Sequence, residues 1–496
     1  MTGRIALSFV LVMAGLGGCA VGPNYRTASP AALGVPDRFK SEAKATPTAP
    51  VDLARWWTGF NDPVLTGLVE RSLAQNLDID AAGARLRQAR ASIASARSAQ
   101  LPTLNGSGSI GRSIGNSGRS IFDPTTGTTI STGGDTTVYR AGFDAAYEVD
   151  VFGGIRRSVE AARADTGAAL ANLQSAQQTV VSEVGLNYVS ARLAQNRLRI
   201  ARDNLRTQDE TVEIVGWRVQ AGLVSSLDLE QARQLRAQTA ATIPTLENNY
   251  ATAANRIAVL LGEAPGAVDA LLTPERIIPL APPATDIPAA VIQRRPDVAS
   301  AERSLAAETA RIGVQEAELY PALRLTGSFA GSDTNLSDVV SGALGNLLAS
   351  VSAPIFQGGR LRAAVEGQRA STDAALANYR QTVLTALEDV ENALTALDTS
   401  ERREREIVIA ETAARNAAIY ARSQYRAGLI DFQTVLDSER TLLSSQDSRA
   451  TARADRATAT VQLYKALGGG WQSAPLPASA TRSGTIAVLP DSGTRP

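Results

Sequence analysis

Apolar and small residues recur every three or four positions along a long stretch of this chain, from about Ile155 to Val219. A heptad repeat of this kind is typical of helices that pack side by side. About 65 residues that rise about 1.5 Å each form a rod near 100 Å long, which is longer than a compact core is thick. The two seams of the repeat are Leu173, Val180, Asn187, Ala194, Ala201, Gln208 and Val215, and Gln177, Val184, Ala191, Leu198, Leu205, Val212 and Val219.

A turn and a returning helix are predicted directly after this rod. Gly222 interrupts the heptad pattern, and Ser225 and Asp228 have the spacing of a capping box, in which a side chain and a backbone N–H satisfy each other at a helix start. No proline occurs between Pro124 and Pro244. The pattern therefore predicts a long helix over about 155–220 and a return helix over about 226–262.

The chain contains an internal repeat. Leu101-Pro102 returns as Tyr320-Pro321, an offset of 219, and Ala221-Gly222-Leu223 returns as Ala427-Gly428-Leu429, an offset of 206. The first copy is therefore about thirteen residues longer within one segment, which suggests a surface loop there. The second copy predicts a long helix over about 360–425 and a return helix over about 432–467.

This repeat predicts the division of the chain. We expect a signal peptide (1–18), an acylated extended arm (19–60), the first copy (61–264), a proline-rich linker (265–288), the second copy (289–470) and a C-terminal tail (471–496).

Two segments between the helices, about 103–152 and 322–356, change to a period of two. Arg140, Asp144, Glu148 and Asp150 fall on one face, opposite a row of apolar residues, which is the pattern of a membrane-embedded strand. Two strands per copy make four per chain, and four strands cannot close a barrel. Three chains would supply twelve strands. A soluble pair of hairpins stays open as an alternative.

The amino terminus has the features of an export signal. Arg4 precedes an apolar run from Ile5 to Leu16, which is too short to span a membrane. Leu16-Gly17-Gly18-Cys19 matches the bacterial lipoprotein box, and Cys19 is the single cysteine of the chain. We therefore expect Cys19 to be acylated and to anchor the protein in the outer membrane. An ordinary signal peptide with an incidental cysteine is the alternative.

Composition argues against an enzyme. The chain has no histidine, which removes the usual catalytic base and the commonest metal ligand. Lys+Arg and Asp+Glu both number 49, so no net charge points to nucleic acid. The segment 106–111 fits a dinucleotide fingerprint, but that motif needs a helix to open on it, and a strand is expected here. We expect no catalytic residue, no cofactor and no metal.

Several motifs together resemble the outer membrane factors of tripartite efflux pumps, the TolC/OprM-like family, especially its lipoprotein branch. These motifs are the lipobox, Val21-Gly22-Pro23-Asn24-Tyr25, Trp56-Trp57 with Asp62-Pro63, the segment 84–91, and the stretch from Tyr425 to Arg440. The resemblance covers essentially the whole mature chain. It implies an α+β membrane protein: a trimer whose 12-stranded outer-membrane β-barrel continues into a 12-helix periplasmic α-barrel.

The resemblance also implies a function and partners. The protein would be a passive channel in the outer membrane of a Gram-negative bacterium, anchored by lipid and extending into the periplasm. It would receive substrates through a periplasmic adaptor protein from an inner-membrane transporter of the RND type. A type I protein-secretion channel and a non-porous, lipid-anchored coiled-coil scaffold remain alternatives, and the lipobox favours efflux.

By the same resemblance, the periplasmic gate falls on Tyr425, Asp437 and Arg440. Gln424 and Gln433 depart from the family pattern, and Arg422 or Arg426 would substitute in the pairing. An alternative role for Asp437 is local, because Thr434-x-x-Asp437 is itself a helix-start pattern. The turns that would contact the adaptor contain Gly222, Leu223, Val224, Ser225, Gly428, Leu429 and Ile430. Capping of their own hairpins is the alternative for the two leucines.

Overall fold

A computed structural model of the chain gives the architecture. The structure describes residues 20–29, 33–36, 39–40, 52–114, 119–132, 135–273, 275–276, 278, 280–281 and 289–471. Helices make up most of it, and none of the described helices is long and apolar enough to cross a membrane. The α-helices are α1 (Pro63–Gln75), α2 (Leu77–Ser98), α3 (Gly154–Gln220), α4 (Ser226–Leu260), α5 (Asp269–Leu272), α6 (Pro296–Ala317), α7 (Arg360–Arg426) and α8 (Phe432–Ala466). Short 3₁₀ helices cover Leu53–Phe60, Ala289–Arg294 and Leu336–Asp338.

Three helices of the first copy have counterparts of identical length in the second. The long helices α3 and α7 have 67 residues each, the return helices α4 and α8 have 35, and α2 and α6 have 22. Each long helix pairs with its own return helix, and α3 also packs against α2, α6 and α8. The helix α3 therefore contacts helices of both copies.

The heptad positions of α3 form its packed side. Ten of the fourteen predicted seam residues are buried, and the other four are half-buried. Many of the buried positions hold alanine, so neighbouring helices approach closely and the core between them is thin. Gly153 and Gly359, both with a left-handed backbone (φ +83° and +86°), precede α3 and α7.

The strands form one four-stranded antiparallel sheet and a separate ribbon. The main sheet has the order β1-β4-β5-β6, so the central pair joins the first copy to the second. Neither outer edge, on β1 or on β6, has a strand partner among the described residues. The strands are β1 (Thr103–Ser113), β2 (Arg119–Asp123), β3 (Thr128–Thr132), β4 (Thr136–Val149), β5 (Ala322–Asp333) and β6 (Leu344–Ser352).

The expectation of four strands needs a correction, because the described chain has six. The strands β2 and β3 pair with each other in the segment where the first copy is longer. Asp123 begins their turn: its carboxylate accepts a hydrogen bond from Thr125 N (2.9 Å), and its carbonyl accepts one from Gly127 N (3.0 Å). The extra residues thus form an ordered ribbon, and the main sheet keeps the four strands that were expected.

Asp150 does not continue the polar face of β4, as its place in the alternation suggested. The strand ends at Val149, and the Asp150 carboxylate accepts hydrogen bonds from the backbone N–H groups of Ile155 (3.1 Å) and Arg156 (2.9 Å). These are free N–H groups of the first turn of α3, so Asp150 stabilises the start of that helix.

The last turn of each return helix contacts the residue that precedes the 22-residue helix of its own copy, and we call each of these contacts a joint. Asn76 Nδ2 donates to the carbonyl of Leu260, which ends α4 (2.9 Å). At the equivalent place, Arg295 Nη1 donates to the carbonyl of Ala466, which ends α8 (3.1 Å). Each of these residues satisfies a helix-end carbonyl that has no partner within its own helix.

The largest core lies near these joints. Trp56, Trp57 and Phe60 are almost fully buried, and the Trp56 ring stacks on Tyr464 with 5.4 Å between centroids. Gly185 allows this packing, because a Cβ there would lie 3.0 Å from the Trp56 ring. The Trp56-Trp57 motif therefore lies within the largest hydrophobic core of the protein.

Candidate gate and contact site at the helical tips

The tips of the two long hairpins have the same backbone. Gly222 and Gly428 have φ values of +71° and +73°, a conformation that favours glycine. The N–H of Leu223 bonds to the carbonyl of Arg218 (2.8 Å), and the N–H of Leu429 bonds to that of Gln424 (2.9 Å). Both turns are therefore Schellman motifs, which end a helix by satisfying its last carbonyls.

Two large apolar side chains project from these turns. Leu223 is 72% exposed and Leu429 is 74% exposed, so neither side chain packs closely on its own hairpin. The side chains of Val224 and Ile430 are instead half-buried and pack on the apolar cluster inside the tip. Of the predicted contact residues, the two leucines expose their side chains to solvent, and Val224 and Ile430 support the turn from inside.

The two return helices begin with different caps. Ser225 and Asp228 form the predicted capping box, with both N–H···O distances at 3.3 Å. In the second copy the cap is Asp431, whose carboxylate accepts a hydrogen bond from Thr434 N (2.9 Å). The alternative role for Asp437, as partner of a Thr434 cap, is therefore wrong, because Asp431 is the N-cap and α8 begins at Phe432, two residues before Thr434.

Asp437 lies in the second turn of α8 and faces outward. Its side chain is 60% exposed. Its Oδ1 accepts hydrogen bonds from Gln433 Nε2 (3.0 Å) and Arg440 Nη1 (3.4 Å). The structure thus brings Asp437 and Arg440 together, and Gln433 is the further partner of the carboxylate. Both charges stay open to solvent on one side.

Tyr425, the third residue of the predicted gate, lies inside the tip. Its ring is 5.4 Å from that of Phe432, and the guanidinium carbon of Arg218 lies 4.8 Å from its centroid. The Tyr425 hydroxyl is buried and has no hydrogen-bond partner among the described residues. Arg218 belongs to the first copy, so this cation–π contact connects the two hairpins of the chain.

An ion pair near these residues was not predicted from the sequence. Glu439 is 3% exposed, and its Oε1 accepts a hydrogen bond from Arg422 Nε (3.0 Å). Its other oxygen, Oε2, has no partner in the part of the chain that the structure describes. Burial raises the pKa of the Glu439 carboxyl, and the charge of Arg422 opposes this shift. Arg422 is therefore committed to Glu439 and does not pair with Asp437.

Cys19, the expected acylation site, lies outside the described residues. The next residue, Ala20, is described and packs against Gly153 at the start of α3. Ala20 thus lies at the junction between the sheet and the long helices.

These features define a class of protein: a duplicated helical hairpin of great length with a four-stranded sheet at one end and two glycine turns at the other. The sequence profile of the outer membrane efflux protein family matches residues 68–263 and 287–469, which is more than half of the chain. The chain belongs to the outer membrane efflux protein family.

Curated relatives agree along nearly the full length. Nodulation protein T of Rhizobium leguminosarum bv. trifolii is 34% identical over 469 residues, which cover 92% of this chain and 95% of that relative. The pyoverdine export outer membrane protein OpmQ of Pseudomonas aeruginosa is 34% identical over 424 residues, with 85% and 88% covered. The outer membrane protein OprJ of the same species is 30% identical over 477 residues, with 94% and 96% covered.

Solved structures agree as well. The outer-membrane channel OprN superposes with a TM-score of 0.81 at 35% identity, covering 92% of this chain and all of that one. CusC superposes with a TM-score of 0.77 at 26% identity, covering 91% and 100%. This protein is therefore an outer membrane protein with the fold of the efflux channels, and its family comprises channels rather than enzymes.

Proposed function

We propose that three copies of this chain form the outer-membrane conduit of a tripartite efflux pump. Their sheets would close into one 12-stranded barrel, and their long hairpins would form a 12-helix tunnel across the periplasm. The conduit is passive, and it receives substrates from a periplasmic adaptor and an inner-membrane transporter of the RND type. Acylation of Cys19 adds a lipid anchor.

The open edges of the sheet carry this proposal. The strands β1 and β6 each leave one edge unpaired, and such edges cannot face lipid because their N–H and C=O groups need partners. Large apolar side chains on and just after β6 are exposed, including Leu347 (84%) and Ile355 (92%). Pairing β6 of one chain with β1 of the next satisfies the edges and leaves an apolar outer surface for lipid.

Asp437, Arg440 and Tyr425 form the proposed gate at the opposite end. Three chains would place three Asp437 carboxylates, already exposed and locally paired with Arg440, around one tunnel mouth. A ring of carboxylates narrows a pore and attracts cations. Tyr425 and its contact with Arg218 would hold the second hairpin against the first.

Single-channel conductance in a planar bilayer tests this function. We expect the wild-type trimer to show a small or flickering conductance, and Asp437→Ala to raise it. The matched control is Gln231→Ala, because Gln231 occupies the equivalent position on α4 and carries no charge. A folded trimer that shows no conductance as the wild type or as Asp437→Ala would contradict the gate at Asp437. A stable monomer in detergent and lipid would contradict the shared barrel.

The tip leucines are the proposed contacts with the adaptor. We expect Leu223→Asp with Leu429→Asp to abolish drug resistance in cells that depend on this channel, because a charge in an apolar contact costs binding free energy. Conductance of the purified variant should stay at the wild-type level, since neither side chain packs on the gate. Full resistance in the double variant would exclude the leucines as adaptor contacts.

A further inference from the structure

A buried arginine holds the first described residues of the chain. The side chain of Arg157, on the first turn of α3, is 4% exposed. Its Nε donates to the carbonyl of Val21 (3.1 Å), and its Nη2 donates to the carbonyl of Gly22 (3.0 Å) and to Asn24 Oδ1 (2.8 Å). Its Nη1 pairs with Glu160 (2.8 Å). Arginine thus uses its planar donors on the backbone of the N-terminal arm.

Close backbone contacts complete this site. Gly22 has φ +90°, and a Cβ on it would lie 2.5 Å from the Cα of Gly313 on α6. A Cβ on Gly313 would lie 2.8 Å from both the Val21 carbonyl oxygen and the Arg157 side chain. The N–H of Val21 also donates to the carbonyl of Phe152, just after β4 (3.0 Å). Only glycine at positions 22 and 313 leaves room for the arm.

The internal repeat supplies a natural comparison for this site. The position equivalent to Arg157 on α7 is Ala363, and the position equivalent to Gly313 on α2 is Ala94. The second copy thus lacks both the guanidinium group and the space, although its helices have the same lengths. Arg157 and Gly313 are therefore not general requirements of the hairpin, and they occur where the arm crosses α3 and α6.

We infer that Arg157, Gly153 and Gly313 form a receptor for the segment Ala20–Asn24, which fixes the level of the lipid anchor. Ala20 is covalently joined to Cys19, so a fixed Ala20 keeps an acyl group on residue 19 close to the junction of sheet and helices. The anchor and the sheet then meet the membrane at one level. Arg157 acts here as a positioning residue. The inference rests on the proposed acylation, but the receptor itself consists of protein atoms alone.

Limited trypsin digestion of the full-length protein in lipid vesicles tests the receptor. Arg26 is exposed and lies between the contacts of Asn24 and those of Tyr25 and Thr27 with Glu302. We expect Arg157→Ala to speed cleavage after Arg26 by about tenfold or more, because charge-assisted hydrogen bonds that restrain local opening are lost. Gly313→Ala should act in the same direction by displacing the arm, with Arg157 still present.

Two variants serve as matched controls. Arg311→Ala removes an arginine of α6 close to Gly313, and the hydrogen bonds of this arginine go to Asp165 and Glu308. Gly367→Ala adds a methyl group to a long helix where nothing lies within 4 Å. Both should be cleaved at the wild-type rate. Size-exclusion chromatography and helical circular dichroism identify any variant that fails to fold, and Arg157→Lys provides a milder change.

The unacylated variant Cys19→Ala, exported by an ordinary signal peptide, separates the receptor from the lipid. We expect its arm to stay as protected as the wild-type arm. Cleavage of this variant as fast as that of Arg157→Ala would overturn the inference, because the lipid would then hold the arm. Wild-type protection in folded Arg157→Ala and Gly313→Ala would overturn it too. The mass of the released N-terminal peptide reports acylation itself, so failure of that part of the proposed function is recognised independently.

Discussion

The two tips of the molecule share a backbone and differ in charge. Their helices, turns and glycines coincide after an offset of 206 residues. In the second tip, Arg422, Tyr425, Asp437, Glu439 and Arg440 occupy the positions that hold Gly216, Val219, Gln231, Arg233 and Gln234 in the first. The turn geometry is thus common to both tips, whereas the proposed gate depends on side chains that only the second copy has.

The largest difference between the tips should follow the loss of Arg422. Arg422→Ala leaves the buried Glu439 without its counter-ion, which costs about 3 kcal/mol in the local stability of the α7–α8 tip. In the first tip, Arg233→Ala removes only an exposed pair with Glu230 and should cost less than about 0.5 kcal/mol. Hydrogen–deuterium exchange of peptides that cover each turn measures both. Equal effects in the two tips would contradict the special role of the buried pair.

Replacing the glycine of either turn should destabilise the two tips by similar amounts. Gly222→Ala and Gly428→Ala each place a side chain on a left-handed backbone, which costs about 1 to 2 kcal/mol. Neither position has a neighbouring atom within 4 Å of an added Cβ, so the cost is conformational alone. Hydrogen–deuterium exchange of the peptides that cover each turn, recorded at increasing temperature or chaotrope concentration, measures the two losses of stability. A difference well above about 1 kcal/mol between the two stability losses would show that the two turns are not equivalent.

Protonation of Glu439 should make the stability of the second tip, but not that of the first, depend on pH. Burial raises the pKa of this carboxyl, so the folded tip binds the proton more strongly than the unfolded one does. The resulting stabilisation is complete below the unfolded pKa of glutamate and is lost as pH rises through the folded-state pKa. Exchange in the second tip, corrected for the intrinsic rate, should therefore increase with pH. Glu439→Gln should abolish that contribution, and a pH dependence unchanged in this variant would exclude Glu439 as its source.

The smallest effect is expected from Tyr425→Phe. The hydroxyl is buried with no described partner, so its removal should raise tip stability by less than about 1 kcal/mol. The ring keeps its contacts with Phe432 and Arg218. Exchange measurements on the assembled protein check the sign. A clear loss of stability would show that a neighbouring chain supplies the missing hydrogen-bond acceptor.

The hydrophobic pattern of the sequence predicts the long helices well. The heptad seams and the absence of proline gave a helix over about 155–220, and α3 runs from Gly154 to Gln220. The glycine turns followed from residue type, because few residues adopt a positive φ. The sequence predicts a loop where the ribbon β2–β3 lies, because its short strands carry turn-forming residues and no clear alternation.

The sequence could not reveal contacts between distant residues. Glu439 lies among charged residues of a helix and reads as solvated, and only the tertiary structure shows that Val435, Leu436 and the facing helix bury its surroundings. The hydrogen bond between Arg157 and Val21 joins residues 136 positions apart. No periodicity encodes such a pair. The short motif Val21-Gly22-Pro23 was visible in the sequence, but its binding site was not.

The equal helix lengths of the two copies have an evolutionary consequence. Each residue added to an α-helix turns everything beyond it by about 100°, so a single insertion would move the packed side of a 67-residue rod away from its neighbours. Compensation would require a matching change in the return helix of the same hairpin. The two copies therefore tolerate different amino acids at many positions, whereas a change in the length of one long helix alone would separate it from its neighbours.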